Sequence, residues 1–161
     1  MSDQAEALTR HGPDLLAYFR RRVGDNDAAD LLSETMVVAW RRIAVLPEDD
    51  ESARRWLFGI ARNVLLNASR TQRRQARLAD RLRSQLSATA VAAAADTGVE
   101  VRDAIARLDP HLAEIVRLVH WEGFTLKETA EILGAPASTV RSHYQRARTE
   151  LATLLRAHSP A

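Results

Sequence analysis

The chain contains no cysteine, which excludes disulfides and thiolate metal sites and suits a reducing compartment. Glycine and proline are scarce, 6 and 5 in 161 residues, too few to punctuate a sheet-rich fold with turns. Aromatic residues are only 5% of the chain, so any core must be built mainly from aliphatic side chains. No apolar run approaches the roughly 20 residues that span a bilayer, and nothing resembles a signal peptide. A cytoplasmic protein with no membrane insertion is therefore expected. Alternating strand patterns of useful length are missing too. What is abundant is alanine, leucine and arginine, a helix-favouring mixture. The expected fold class is all-α, as two small helical domains joined by a flexible linker, the C-terminal one containing a helix-turn-helix.

Three helices are legible in the first half. Pro13 opens one whose apolar positions Leu15, Leu16, Phe19 and Val23 recur at helical spacing, and Gly24 ends it. Asp25 or Asp27 can cap the next, roughly Ala28 to Ile43. That helix carries two apolar stripes, Leu31, Thr35, Val38 and Arg42, and Leu32, Met36, Trp40 and Ile43, so it is expected to meet two neighbours. After an acidic loop, Ser52 can cap a third helix that buries Trp56, Leu57, Ile60, Ala61, Val64 and Leu65. Its other side carries Arg62, Asn63, Asn67 and Arg70. The amphipathic signal fades beyond Leu78, and the small-residue stretch Ser84 to Gly98 reads as a linker. The expected domains are residues 1–78 and 99–161, with 79–98 between them. The few residues after Arg156 carry the expectation of no fused sensing domain.

In the second half, a short helix runs from Val99 to Leu108, and Asp109-Pro110 writes the start of another, with Leu112, Ile115, Val116 and Val119 on its inner side. Thr125 to Arg148 then reads as a helix-turn-helix. Thr125 and Glu128 have capping-box spacing, Gly134 suits the position past the helix end, and Pro136 sits near the start of the second helix. The first of these helices would bury Leu126, Ala130 and Leu133, and the second Val140, Ala147, Leu151 and Leu154. Its polar side holds Ser138, Thr139, Arg141, Ser142, Gln145, Arg146 and Arg148, placed to reach base edges or phosphates of DNA.

Charge is segregated along the chain although the net value is only +2. Between Arg54 and Arg83 there are nine arginines and one acid, Asp80. Such a density of like charge is costly unless phosphates relieve it. Between Asp96 and Glu131 eight acids face four cations. Catalytic and metal-site readings find no support. The five histidines lack metal-ligand spacing, no glycine-rich phosphate loop is present, and no Ser-His-Asp order occurs in a strand-turn-helix context. No cofactor is expected, and catalysis by this chain alone is not.

DAADLLSETMVVAWRRI (Asp27 to Ile43), followed by an acidic loop and ARRWLFGIARNVLLNASRTQRR (Ala53 to Arg74), resembles the second conserved region of the extracytoplasmic-function bacterial sigma factors. ARLDPHLAEIVRLVHWEGFTLKETAEILGAPASTVRSHYQRARTEL (Ala106 to Leu151) is similar to their fourth. Both occur in the family's order. Two departures bear on promoter preference: Met36 and Val37 replace a more usual aromatic-containing pair, and His143, Tyr144 and Gln145 fall in a variable stretch. The resemblance implies core RNA polymerase as partner, through the β′ clamp helices and the β flap, with Asp30, Glu34, Trp40 and Arg41 as clamp contacts. It implies promoter DNA as ligand, with the loop Leu46 to Glu51 capturing a base of the minus-ten element. Arg54, Arg55, Arg62, Asn63, Asn67 and Arg70 would hold the melted strand there. It also implies an anti-sigma factor. The alternative is a stand-alone operator-binding regulator using only the helix-turn-helix.

Overall fold

The computed structural model describes residues 2–83 and 99–158, and every regular element among them is helical. Four helices form one compact unit: α1 (Ser2–Arg10), α2 (Gly12–Val23), α3 (Asp25–Arg41) and α4 (Asp50–Arg83), with a 3₁₀ turn at Ile43–Val45 before α4. Four more form the second: α5 (Val99–Arg107), α6 (Pro110–His120), α7 (Leu126–Leu133) and α8 (Ala137–His158).

In the first unit α2 ends at Gly24, whose φ of 81° and ψ of 176° let α3 begin at the very next residue. A side chain at this corner would be strained, which is why glycine marks it. α3 starts at Asp25, with no side-chain cap, so neither Asp25 nor Asp27 serves as the expected cap. Both lie in the first turn instead, where carboxylates complement the helix dipole, and Asp25 pairs with Arg20 at 3.0 Å. The core gathers Leu8, Leu15, Tyr18, Phe19, Ala28, Leu31, Leu57, Phe58, Ala61 and Val64. Tyr18 meets Phe19 and Phe58 edge-on at 5.2 and 5.3 Å, geometry worth about 0.5–1.5 kcal/mol per pair beyond area burial. Neither Tyr18 nor Phe58 belongs to the expected apolar stripes. Thr35 lies in the buried stripe because its hydroxyl donates to the Leu31 carbonyl at 2.7 Å.

α4 begins three residues earlier than the Ser52 cap implies. Asp49 caps it: the Ser52 amide donates to the Asp49 carboxylate at 2.8 Å and the Ala53 amide to the Asp49 carbonyl at 2.9 Å. The helix then continues past Leu78 to Arg83 without interruption. The rest of the expected linker, 84–98, lies outside the described residues.

The second unit follows its local signals closely. Asp109 caps α6 by accepting from the His111 amide at 2.9 Å, with Pro110 at the first helical position. Thr125 and Glu128 complete both halves of a capping box on α7, at 3.2 and 2.8 Å. Gly134 takes the left-handed conformation, φ 62°, after the last residue of α7. Ile105, Leu108, Leu112, Ala113, Val116 and Ala147 make one buried cluster, with Leu151 and Leu154 half-buried against it. Ile115, Ala130 and Val140 make another, with Leu126 and Leu133 at its edge. The apolar face of α8 is thereby covered by α5, α6 and α7, which turns its polar face outward.

Candidate nucleic-acid interface

All seven side chains expected on the reading face of α8 are exposed. By the helical period, Ser138, Ser142 and Gln145 form its centre. Arg141 and Arg148 lie on one flank, Thr139 and Arg146 on the other. Arg146 is engaged along its own helix, Nε donating to Glu150 at 2.8 Å, so its charge is partly answered within the protein. The capping box and Gly134 fix the angle at which α7 hands over to this helix. Dense packing under Val140 and Ala147, both essentially inaccessible, holds its other side.

The arginine-rich helix α4 separates into distinct sides. Arg55, Arg62, Asn63 and Arg70 share one side by helical period, with Asn67 just beside it. Arg54 faces elsewhere. Its Nε donates to Asp14 of α2 at 3.1 Å and its guanidinium lies 4.9 Å from the Phe58 ring, so it fastens α4 to α2. Arg55 is half-buried and donates to the Ser52 hydroxyl at 2.8 Å. Arg62 is half-buried too, while Asn63, Asn67 and Arg70 are exposed. From Arg70 to Leu78 every side chain is exposed, including Arg73, Arg74 and Arg77. The basic surface thus extends well beyond the part of α4 that packs on its own unit.

The acidic loop before α4 divides its four acids between structure and solvent. Asp49 is the helix cap, and the Ser52 amide that it accepts from holds its carboxyl below the ordinary value of 3.8. Asp50 accepts from Arg10 at 2.9 Å and contacts His11 Nε2 at 3.1 Å. Arg10 lowers its pKa most, with the charge of His11 adding to the effect. His11 itself is buried at the α1–α2 joint. Glu48 and Glu51 remain exposed.

On α3, Asp30, Glu34 and Arg41 are all exposed and share one side with Val37. Trp40 is 51% exposed, so its own unit covers only part of it. It lines an apolar cavity of about 390 Å³ together with Leu8 and Thr9 of α1 and Met36 and Val37 of α3. The second stripe expected on α3 therefore does have a neighbour, α1, but only a partial one. Sequence reasoning missed α1, the Arg10–His11 grip on Asp50, and a His120–Tyr144 contact beside the reading face. The apolar pair Ala5 and Leu8 was the one available signal for α1, and it is too short to establish a periodicity.

Among the described residues no group of three or more histidines and carboxylates could hold a metal ion, and no helix is long and apolar enough to cross a membrane.

Comparison with known proteins divides the chain at the same place. Residues 7–75 match the model of sigma-70 region 2, and residues 98–151 match that of sigma-70 region 4. The chain is 30% identical to the ECF RNA polymerase sigma factor SigL of Mycobacterium tuberculosis over 145 residues, covering 83% of this chain and 79% of that one. It is 30% identical to the RNA polymerase sigma factor SigZ of Bacillus subtilis over 148 residues, covering 90% and 82%. The fold is that of the sigma factor RpoE of Bartonella quintana, solved in complex with the anti-sigma factor NepR. The TM-score is 0.73 at 23% identity, covering 99% of this chain and 100% of that chain.

Proposed function

The chain belongs to the extracytoplasmic-function sigma factors of the sigma-70 family, and from that membership we propose how its two units divide the work of starting transcription at particular promoters. The observation that carries the reading is the pairing, in one chain, of an arginine-rich helix with a polar, outward-facing recognition helix, each on a unit with its own core.

The first unit binds core RNA polymerase and the minus-ten element. Asp30, Glu34, Trp40 and Arg41 meet the β′ clamp helices, the carboxylates giving charge complementarity and Trp40 an aromatic anchor. Arg55, Arg62, Asn63 and Arg70 hold the melted strand, with Asn67 at its edge and Arg54 bracing the helix that presents them. Of the loop acids, Glu48 and Glu51 are left to meet an unstacked base, since Asp49 and Asp50 are occupied by the protein. The second unit meets the β flap and reads the upstream element through Ser138, Thr139, Arg141, Ser142, Gln145 and Arg148, with Arg146 reaching phosphate by leaving Glu150.

The chain has no catalytic role of its own in this reading, since phosphoryl transfer belongs to the polymerase. It acts where the chromosome is, in the bacterial cytoplasm. An anti-sigma factor is the expected regulator, and the half-open groove beside Trp40 is an apolar surface that such a partner can cover.

Run-off transcription with purified core polymerase over a promoter library tests the proposal. A defined promoter subset should yield transcripts, and tight promoter binding should require the polymerase. Tight binding to duplex DNA unaided, with no transcript from any promoter, would instead establish a stand-alone regulator.

A further inference from the structure

One side-chain contact beside the recognition helix ties α8 to α6. His120, the last residue of α6, has Nε2 2.8 Å from the Tyr144 hydroxyl. The two rings stack, with centroids 5.9 Å apart and planes at 24°. The Tyr144 ring also packs against the cluster of Ile115, Ala130 and Val140. Tyr144 is therefore held by the core on one side and by His120 at its hydroxyl. Along α8 it follows Arg141 by one turn and precedes Arg148 by one turn, so the three side chains share a flank.

Base reading tolerates little rotational slack. A binding constellation must be held within about 0.5 Å and 10–20° of its productive geometry. Beneath α8 the buried contacts nearest this flank come from Val140 and Ala147, short side chains whose van der Waals contacts are not directional. A hydrogen bond between two flat, stiff rings is directional, and it loses strength steeply when bent. Of the polar contacts described on α8, this one reaches another helix, whereas Arg146–Glu150 stays within α8.

We propose that His120 and Tyr144 are positioning residues for upstream-element recognition: their contact fixes the rotation of α8 about its axis and with it the reach of Arg141 and Arg148. The pair sets promoter specificity without itself reading a base. The inference rests on α8 being the DNA-reading helix.

The test uses the full chain with core polymerase and two promoters that differ only in the upstream element, one preferred and one scrambled. The quantity read is the ratio of initiation rates on the two, at several salt concentrations. Tyr144→Phe keeps the ring and its packing and removes the hydroxyl, so folding is preserved. It should lower the ratio several-fold with the salt slope unchanged. His120→Ala should do the same, and the double variant should be no worse than either single, because both break one contact. His120→Gln, whose side-chain amide can donate to or accept from the Tyr144 hydroxyl, should recover part of the ratio. An unchanged ratio in Tyr144→Phe overturns the proposal. So does an equal loss on both promoters with a shallower salt slope, which would mean that the pair grips phosphate. A wild-type protein that does not distinguish the two promoters overturns the reading of α8 itself, and the proposal with it.

Discussion

Asp50 is an exposed carboxylate, yet it joins three parts of the first unit: Arg10 at the end of α1, the buried His11 at the α1–α2 joint, and the first turn of α4. Its pKa and that of Asp49 are both held below 3.8. A carboxyl depressed in the folded state stabilises the fold at pH values above its unfolded pKa, and that contribution disappears as pH falls through the lower native value. The stability lost in Asp50→Asn should therefore be steady near neutral pH and shrink toward zero as acid titrates the native carboxylate. Chemical denaturation of both proteins from neutrality down to about pH 2 checks this; a difference that stays constant throughout would show that the charge is not what matters. The same neighbourhood shows what single residues disclose. Thr125 with Glu128, and the Asp109 cap that accepts from the His111 amide, were legible because donor and acceptor lie within three residues. Ser52 lost its expected role because the acidic run offers several caps and the earlier one, Asp49, starts the helix. The partner of Arg54 lies 40 positions away, at Asp14, and no local spacing announces it.

Among the elements, α4 carries two environments on one rod. At 34 residues it is roughly 50 Å long, and among its described side chains the last buried one is Val64. From Arg70 to Leu78 every side chain is exposed, so this stretch is held helical by propensity rather than by packing, with clustered arginines opposing it. The side that bears Arg62 and Asn63 should act when the strands are open. Replacing both by Ala should leave closed-complex binding nearly normal and reduce opening, and a pre-melted promoter should recover much of the activity. Permanganate footprinting of unpaired thymines on linear and pre-melted templates measures it; equal defects on both would show that this side grips duplex phosphate instead. The helix itself was legible from its period, but its length was not, since amphipathicity fades where packing stops although the backbone hydrogen bonds continue. α1 was hidden for a related reason: its contribution to the core is little more than Leu8.

For the whole molecule, order along the chain proved the most readable property. Region 2-like and region 4-like segments, each with its own charge balance, correspond to two units with separate cores. What sequence could not supply was the state of Trp40, since a helix with two apolar stripes leaves open which stripe is fully covered. Its exposure has an optical consequence. Trp56 and Trp121 are half-buried, whereas Trp40 stands at the mouth of an apolar groove and is the indole most open to water. Whatever fills that groove must strip solvent from this ring, so the free protein carries its own fluorescent reporter of occupancy. Binding to core polymerase, followed with the polymerase signal subtracted or with a tryptophan-depleted clamp fragment, should shift the emission to the blue and shield it from acrylamide. Trp40→Phe should abolish that response. A shift that survives Trp40→Phe would place the covered surface near Trp56 or Trp121, and the groove would have to be read as empty in the complex.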